Sequence, residues 1–270
     1  MIEDGTKRQI DALEAENAAL KEELEESRRS TTQYLQNVAH QLTAPLGAIK
    51  WSIEALKDEA VPIQRKGKLL SSIYSQGTIL VHLIKNFSLM SNLEADHELG
   101  QFRDKPERVD PLRLAINLAN DFQPQAAEGG KKIYVNENSF KEIFDGTSIL
   151  VVKNLIAQAL SNLLENAVKY SNLRTAIYIE AQEVKLPEDN ELFLAISVRS
   201  IGIAISSHEI KKLHNRGFRG STAKQKIPAG TGIGLYIAKR IMDLHEGLVL
   251  VRTNGNETIV LLCFPQSRVQ

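Results

Sequence analysis

Two helical stripes of apolar residues, separated by a break at Val61-Pro62, constrain this chain more than any other feature. The first stripe recurs every three or four residues at Leu42, Leu46, Ile49, Ile53 and Leu56. The second stripe continues this spacing at Leu69/Leu70, Ile73, Gly77, Leu80, Ile84 and Phe87. Such spacing places apolar side chains on one face of each helix and predicts an antiparallel hairpin. One hairpin has too little core to stand alone, whereas two hairpins from a dimer make a four-helix bundle.

The N-terminal segment 1–33 carries a different repeat. Ile10, Asn17 and Leu24 occupy heptad position a, and Leu13 and Leu20 occupy position d. A lone Asn at position a favours a parallel two-stranded coil, because the two amides can bond each other. The segment is therefore predicted to be a dimeric coiled coil, with a single exposed amphipathic helix as the plainer alternative.

The rest of the chain divides into three further parts. Residues 34–95 form the predicted dimerisation hairpin, and the polar residues 96–108 read as a linker. Residues 109–270 have an α+β pattern that begins with a helix start at Asp110-Pro111, where Asp is a good N-cap and Pro a good first residue. Predicted strands lie at Lys131–Asn136, Ala176–Val184, Glu191–Arg199, Leu248–Arg252 and Thr258–Phe264, and predicted helices at Asn154–Tyr170 and Gly234–Leu244.

Composition excludes several classes of protein. Lys and Arg number 33, as do Asp and Glu, so the chain lacks the basic surplus that non-specific nucleic-acid binding needs. The single cysteine, Cys263, rules out an intrachain disulfide and a Cys-rich zinc site. The apolar run Ile259–Phe264 is far shorter than the ~20 residues that span a bilayer. We therefore expect a cytoplasmic chain without nucleic-acid or membrane contact, which could still be the soluble part of a longer receptor.

The first chemically suggestive segment is Val38–Leu46. At 100° per residue, His40 projects away from the apolar stripe. Pro45 lacks the donor that would bond the Gln41 carbonyl, so we expect a bend just past His40. An exposed imidazole beside a kink can act as a nucleophile. Taken alone, the segment favours the plainer interpretation that His40 is an incidental surface histidine.

The second segment, Asn162–Ser171, lies on a predicted helix. Asn162 and Asn166 are four residues apart and therefore share a face. Their amide oxygens, with a carboxylate between them, suit an oxygen-preferring ion such as Mg²⁺, and Lys169 could meet phosphate oxygens. A solvated polar face is the alternative.

Two glycine-containing segments are weaker signals. In Gly230–Leu235, glycines permit close approach of phosphates, and the following helix offers free N–H groups. It does not follow a strand early in a βαβ unit, so a dinucleotide fingerprint fits poorly. Arg199–Ile205 follows a strand and says nothing by itself.

Together, in this order, these segments resemble the sensor histidine kinases of two-component systems, over roughly Leu35 to Phe264. Val38–Leu46 resembles the phosphoacceptor box, and Asn162–Ser171 the N-box. Asn215–Gly220 resembles the F-box, and Gly230–Leu235 the second glycine box. The resemblance implies a signalling coiled coil, a dimeric helical phosphoacceptor bundle, and an α/β sandwich that binds ATP, of the type shared with gyrase B.

The resemblance also implies roles for individual residues. His40 would attack the γ-phosphoryl group of ATP, and the neighbouring Gln41 would hold its imidazole. Asn166 would ligate Mg²⁺, with Asn162 beside it. Further ATP contacts implied are Lys169 and Arg219 at the phosphates, Tyr170 at adenine, and Ser200, Gly202, Gly230, Thr231, Gly232, Gly234 and Leu235.

Three departures from the family pattern stand out. Ser200 replaces the aspartate that accepts from the adenine amino group, and Ala204 replaces a glycine of the same box. Gln41 replaces an acid that would serve as base. Ala44 stands where Thr or Asn usually orients water, so we expect weak or no phosphatase activity.

Two functional hypotheses follow. The first is an active histidine autokinase that passes its phosphoryl group to the aspartate of a response-regulator receiver domain, under an upstream sensor domain or protein. The second is a homodimeric signalling protein whose altered pocket binds ATP poorly or docks partners. A gyrase- or chaperone-like ATPase is disfavoured by the preceding hairpin. His82 is expected at the surface, and Cys263 buried and inert.

Overall fold

The computed structural model describes residues 17, 20–22, 25, 32, 36, 38–58, 61–94, 105–186, 191–227 and 230–270, and the side chains among them except those of 91–94. Most of the coiled coil predicted over 1–33, and most of the predicted linker 96–108, lie outside these residues. Of the predicted heptad positions, Asn17 and Leu20 are described, and both are helical and exposed.

The predicted hairpin is present. Residues 38–56 form helix α1, and Ile63–Glu94 form helix α2, which at 32 residues is about 48 Å long. The chain turns between them at the predicted break. The hairpin leaves several large apolar side chains exposed: Leu46, Trp51, Ile53, Leu70, Tyr74, Val81 and Ile84.

The C-terminal domain alternates short helices and strands. Its first half comprises β1 (Glu107–Val109), α3 (Pro111–Glu128), β2 (Lys132–Val135), α4 (Glu137–Phe144), β3 (Ile149–Val151) and α5 (Lys153–Tyr170). Its second half comprises β4 (Ala176–Lys185), β5 (Leu192–Ile201), α6 (Ser207–Ile210), α7 (Ser221–Lys226), α8 (Gly234–Leu244), β6 (Leu248–Asn254), β7 (Glu257–Pro265) and a 3₁₀ turn, Gln266–Arg268.

The main sheet has the strand order β2-β4-β5-β7-β6. Only the β2–β4 pair is parallel, and the other pairs are antiparallel. Strands β1 and β3 form a separate antiparallel pair. Buried residues of α3, α5 and α8 join one face of the main sheet in a single apolar core. This confirms the predicted α/β sandwich after a helical hairpin.

Local sequence explains where the key helices begin and end. Helix α3 starts where predicted, because the Asp110 carboxylate accepts from the N–H groups of Leu112 and Arg113, and Pro111 follows it. Helix α5 is held at its C-terminal end by Lys131. Its ammonium group donates to the carbonyls of Val168 and Ser171, the second at 2.9 Å. Burial lowers the pKa of Lys131.

A buried histidine ties two of these helices together. His245, at the C-terminal end of α8, is completely buried. Its Nε2 accepts from the Val152 N–H at the start of α5, at 3.0 Å, and its Nδ1 lies 2.7 Å from the Ile241 carbonyl. These two bonds require the neutral tautomer with the proton on Nδ1. Helices α5 and α8 therefore keep a fixed relation at the ends away from their polar motifs.

In the part of the chain that the structure describes, no helix is both long enough and apolar enough to cross a bilayer. Cys263 is buried, as expected, and burial raises the pKa of its thiol to about 12. The thiol is therefore protonated and unreactive at neutral pH.

Candidate functional site

A cleft runs between α5, the end of β5, the segments 218–223 and 230–235, and the α1–α2 hairpin. It gathers most of the residues that the sequence singled out. Those on its walls are Gln41, Asn166, Lys169, Tyr170, Ser200, Gly202, Arg219, Gly230, Thr231, Gly232, Gly234 and Leu235. Asn162 and His40 are not on the walls. Segments that are far apart in sequence thus meet at one site.

One end of the cleft is strongly cationic. A Cβ atom built on Gly230 would lie 3.1 Å from Lys169 Nζ and 3.1 Å from the guanidinium of Arg219, so both cations converge on this glycine. Burial lowers the pKa of Lys169, Glu165 opposes this shift, and Arg219 adds to it. Two crowded cations favour an anionic ligand beside them.

The guanidinium of Arg219 is fixed by the loop around it. It donates to the carbonyls of Gly230 and Ala223, each at 3.4 Å, and to the carbonyl of Ile227. These bonds tie the F-box segment to the glycine segment, so the positive charge is positioned in advance rather than recruited by a ligand.

Two glycines allow backbone segments to approach closely. Gly232 has φ 70°, and a Cβ there would lie 2.7 Å from the carbonyl oxygens of Gly217 and Phe218. At the other end of the cleft, a Cβ on Gly202 would overlap the carbonyl oxygen of Tyr170. Both positions therefore require glycine for steric reasons.

The two asparagines of α5 have different surroundings. Asn166 lines the cleft, whereas Asn162 is 1% exposed and lies behind it. A Cβ on Gly234, at the start of α8, would lie 3.6 Å from Asn162 Oδ1 and from Asn166 Nδ2. The first turn of α8 thus packs across the asparagine face of α5.

The opposite end of the cleft is neutral. Ser200 on β5 pairs in register with Thr258 on β7, and both line the cleft. The described carboxylates on the walls are Glu165 and Glu209. Glu209 accepts from the backbone N–H groups of Ser206 and Ser221, so it is used as a helix cap. Hydroxyl groups are the polar side chains left at this end.

The hairpin closes the remaining side of the cleft. With its amide oriented to satisfy both donors, Gln41 accepts from the N–H groups of Gly230 at 3.1 Å and Thr231 at 2.8 Å. His40, the preceding residue, is exposed, as the helical phase predicts. The structure therefore brings the box around His40 to the glycine segment, 190 residues later in the chain.

A second contact between hairpin and domain was not foreseen. His82 is 6% exposed rather than at the surface, and its Nδ1 lies 2.8 Å from Glu165 Oε2. Asn86 bridges two residues of α5, donating to Asn162 and accepting from Gln158, both at 2.8 Å. The signal available in the sequence was the spacing of His82 and Asn86, four residues apart on one face of α2.

Among the described residues, no cluster of three or more His, Cys, Asp or Glu side chains could hold a metal ion. The oxygen donors that α5 presents at the cationic end are the amide of Asn166 and the Glu165 carboxylate, which pairs with His82. Such a set is too small to bind a divalent cation by itself, and it suits a Mg²⁺ ion that shares its coordination with ligand phosphates and water.

Two protein-family models match the chain. The model of the His Kinase A phospho-acceptor domain matches residues 30–96, and that of the histidine kinase-, DNA gyrase B- and HSP90-like ATPase matches residues 151–268. Together they cover more than half of the chain.

Two individual proteins are similar to most of this chain. The Non-motile and phage-resistance protein of Caulobacter vibrioides is 27% identical over 245 residues, which are 89% of this chain and 28% of the relative. Sensor histidine kinase RcsC of Salmonella typhimurium is 24% identical over 229 residues, which are 84% of this chain and 22% of the relative. This chain thus spans less than a third of either relative.

Solved structures show the same fold. The histidine kinase AdeS of Acinetobacter baumannii aligns with a TM-score of 0.50 at 17% identity, covering 84% of this chain and 97% of that chain. A phosphoacceptor-type hairpin and a histidine-kinase-type ATPase domain are therefore both present, in that order, and the chain belongs to the bacterial sensor histidine kinase family.

Proposed function

We propose that this chain is a histidine autokinase that phosphorylates His40 with ATP. One observation carries the proposal: Lys169 and the Arg219 guanidinium converge on Gly230, in a cleft whose open side is closed by the helix that bears His40. The site therefore joins an anion-binding cradle to a histidine on the facing helix. Phosphoryl transfer needs mainly such positioning and charge neutralisation.

In this reaction an imidazole nitrogen of His40 attacks the γ-phosphorus atom of ATP. The bond between that phosphorus and the bridging β,γ-oxygen breaks, and ADP leaves with the electron pair. The imidazole loses its proton to solvent, because the amide of Gln41 cannot accept it at neutral pH. Lys169, Arg219 and the N–H groups of the glycine segment would neutralise charge on the phosphate oxygens.

The site fits Mg²⁺ held jointly by Asn166 and the nucleotide. Asn166 faces the cleft, one turn from Lys169 on α5. Asn162 stands behind it, and its amide oxygen accepts from Asn86. A bound Mg²⁺ would supply positive charge between the phosphate groups. Tyr170, Ser200 and Gly202 would surround the base at the neutral end.

A homodimer is the proposed assembly. The apolar face of the hairpin is exposed in the single chain, where the exposed fractions of Tyr74 and Ile84 are 57% and 51%. Contiguous exposed apolar surface on a helical hairpin marks a contact with another molecule. A second copy would bury this face in a four-helix bundle, continuous with the coiled coil predicted over 1–33.

The proposed partners follow from this chemistry. The phosphoryl group would pass from His40 to the aspartate of a response-regulator receiver domain. Input would come from an upstream sensor domain or protein, and the buried, single cysteine suits the reducing cytoplasm. Ala44 offers no side chain that could orient water, so phosphatase activity toward the regulator should be weak.

The proposal is tested with purified protein, Mg²⁺ and γ-labelled ATP. We expect label that is stable in base and labile in acid, and that is lost in His40→Ala. His208→Ala, which alters an exposed histidine on α6, should label like the wild type. A folded dimer that takes up no label, or His40→Ala protein that labels normally, contradicts the assignment.

The second candidate is a weakened signalling dimer. The observation that favours it is the neutral end of the cleft, where Ser200 and Thr258 stand. A calorimetric titration with Mg·ATP separates the two candidates. Binding in the micromolar range supports the kinase, and no binding at millimolar ATP supports the non-catalytic dimer.

A further inference from the structure

The neutral end of the cleft is built on the neighbouring strands β5 and β7. Ser200 lies directly opposite Thr258 in the antiparallel register of these strands. Two residues along, Val198 lies directly opposite Val260, and both valines belong to the helix-facing side of the sheet. Because residues two apart on a strand share a face, Ser200 and Thr258 lie on that side as well. All of these residues line the cleft, and together we call them the cleft floor.

The position of the cleft floor assigns it to the base of a bound nucleotide. Phosphate groups are drawn to Lys169 and Arg219, which converge on Gly230 at the other end. The base then extends toward β5 and β7, where apolar walls can pack against its rings. Tyr170 and Ile203 add to these walls, and a backbone bond of 3.1 Å from the Ile203 N–H to the Tyr170 carbonyl joins them.

The two hydroxyl groups of the cleft floor are available to a ligand. In the part of the chain that the structure describes, neither the Ser200 nor the Thr258 hydroxyl has a hydrogen-bond partner. Directly opposite residues of an antiparallel pair have Cβ atoms about 5 Å apart, so both hydroxyls can meet the edge of one ring system. The nearby carboxylate of Glu209 is engaged with the N–H groups of Ser206 and Ser221. The base is therefore met by hydroxyl groups rather than by a carboxylate.

Hydroxyl groups do not distinguish the two purines. Along the edge formed by N1 and the substituent at C6, adenine presents an acceptor and an amino donor, whereas guanine presents a donor and a carbonyl acceptor. A carboxylate only accepts hydrogen bonds, so it favours the adenine edge. A hydroxyl both donates and accepts, and its proton rotates to suit its partner. The cleft floor can therefore satisfy either purine by rotation of two O–H bonds.

We propose that GTP is a second phosphoryl donor for this chain, bound in the same cleft as ATP and with a similar affinity. The inference rests on the proposed function, because it concerns the base of the same nucleotide site. An imidazole nitrogen of His40 attacks the γ-phosphorus atom of GTP, and the bond from that phosphorus to the bridging β,γ-oxygen breaks. GDP leaves with the electron pair, and the imidazole proton passes to solvent.

Binding is measured first, by calorimetry on the full chain with Mg²⁺ and the β,γ-imido analogues of ATP, GTP and CTP. These analogues are not hydrolysed, so a contaminating kinase cannot convert one nucleotide into another. We expect the ATP and GTP analogues to bind within about tenfold of each other, since one neutral hydrogen bond changes affinity about 2- to 10-fold. The CTP analogue should bind about 3- to 10-fold more weakly than either, because a single ring covers less apolar wall.

Two variants test whether the cleft floor causes this tolerance. Ser200→Ala/Thr258→Val removes both hydroxyls and nearly keeps the shape, so the ATP and GTP analogues should lose affinity alike, by about 3- to 30-fold. Ser200→Asp leaves an acceptor alone at that position, so the ratio of ATP to GTP affinity should rise about 5- to 30-fold. Ser207→Ala, which removes an exposed hydroxyl on α6, should match the wild type.

Transfer is then followed with γ-labelled GTP and Mg²⁺. Label that is stable in base and labile in acid should appear on the wild type and be absent from His40→Ala. Unlabelled GTP should also reduce labelling from γ-labelled ATP, because the two nucleotides compete for one cleft.

Binding of the ATP analogue without measurable binding of the GTP analogue overturns the inference and leaves the proposed function unaffected. Equal binding of the CTP analogue, or unchanged affinities in Ser200→Ala/Thr258→Val, overturns the role of the cleft floor. GTP that binds but does not label His40, while ATP does, is not a donor. If neither purine analogue binds at millimolar concentration, the proposed function itself fails, and this inference fails with it.

Discussion

The two ends of the cleft differ in the charge of the side chains that line them. At the cationic end, Lys169 and Arg219 converge on Gly230, and Asn166 stands beside them. At the neutral end, the hydroxyl groups of Ser200 and Thr258 provide the polar contacts. The first end can neutralise the charge of a triphosphate, whereas the described residues of the second end present no carboxylate to a base apart from Glu209, which caps α6.

This difference suggests how affinity is divided along the nucleotide. A charge-assisted hydrogen bond contributes about 1.5–3 kcal/mol, and a neutral one about 0.5–1.5 kcal/mol. Most of the binding free energy should therefore arise at the phosphates. Selection of adenine over other bases should be weak, because a hydroxyl can donate or accept. Changes at the two ends should accordingly differ in size and in sign.

The largest effect is expected at Gly232. Alanine there would meet the carbonyl oxygens of Gly217 and Phe218 at 2.7 Å, at a φ of 70° that disfavours any side chain. We expect Gly232→Ala to reduce Mg·ATP affinity by about 100-fold or more, since each 1.4 kcal/mol is tenfold. Calorimetric titration measures this loss.

Gly255→Ala is the matched control for backbone strain. Gly255 has φ 58° in the β6–β7 turn, with nothing within 4 Å of an added Cβ. It should lose some stability, by about 1–2 kcal/mol, and keep its affinity for nucleotide. Equal affinity losses in the two variants would show that conformation, and not the close approach to 217–218, is what matters.

Lys169 should have the next largest effect. Lys169→Met keeps the length of the side chain and removes a charged donor worth about 1.5–3 kcal/mol, so affinity for Mg·ATP should fall about 10- to 100-fold. Lys153→Met, at an exposed position on the same helix, should bind as the wild type does. An unchanged affinity in Lys169→Met would show that the charge of Lys169 does not contribute to ATP binding.

Most elements of the ATPase domain could be predicted, because their signals are local. Helix α8 begins at Gly234 as expected, and strands β4 to β7 differ from the predicted bounds by a few residues. Strands β1 and β3 have three residues each, too few to show a period of two. Helix α4 was overlooked although Asn136 caps it and Phe140 and Phe144 share its buried face.

The candidate site could be predicted only in part, because some of its contacts join residues that are far apart in the sequence. Motif spacing identified Asn166, Lys169 and the glycine segment, whose side chains or backbone line the cleft. It could not identify His82, because its burial depends on packing against Glu165, 83 residues later. From the sequence alone, a polar residue in a helical pattern is predicted to be solvent-exposed, because the helix that packs against it is not known.

Restoring a carboxylate at the neutral end should reverse the sign of the effect. Ser200→Asp replaces a neutral hydrogen bond with a charge-assisted one, a gain of about 1–2 kcal/mol, or about 5- to 30-fold in ATP affinity. GTP, which presents no amino group at that place, should gain nothing. Ser207→Asp, at an exposed position on α6, controls for added negative charge. Equal gains for ATP and GTP would contradict the assignment of this end to the base.

The smallest effect concerns the anchoring of the cationic end. His245 links the far ends of α5 and α8, the helices that carry Asn166 and the glycine segment, and it does so as a neutral imidazole. Burial lowers the pKa of His245, with the Ile241 carbonyl opposing the shift. The unfolded chain therefore binds this proton more readily than the folded chain. The stabilisation is complete above the unfolded-state pKa of about 6.5 and is lost as pH falls through the lower folded-state value.

Urea unfolding of the wild type and His245→Gln at pH 8, 7, 6 and 5 tests this anchoring. Gln offers a donor and an acceptor but does not titrate, so the variant should start less stable at pH 8 and lose less between pH 7 and pH 5. One proton accounts for a slope of at most about 1.4 kcal/mol per pH unit. Parallel slopes for the two proteins would instead assign the acid sensitivity to other groups.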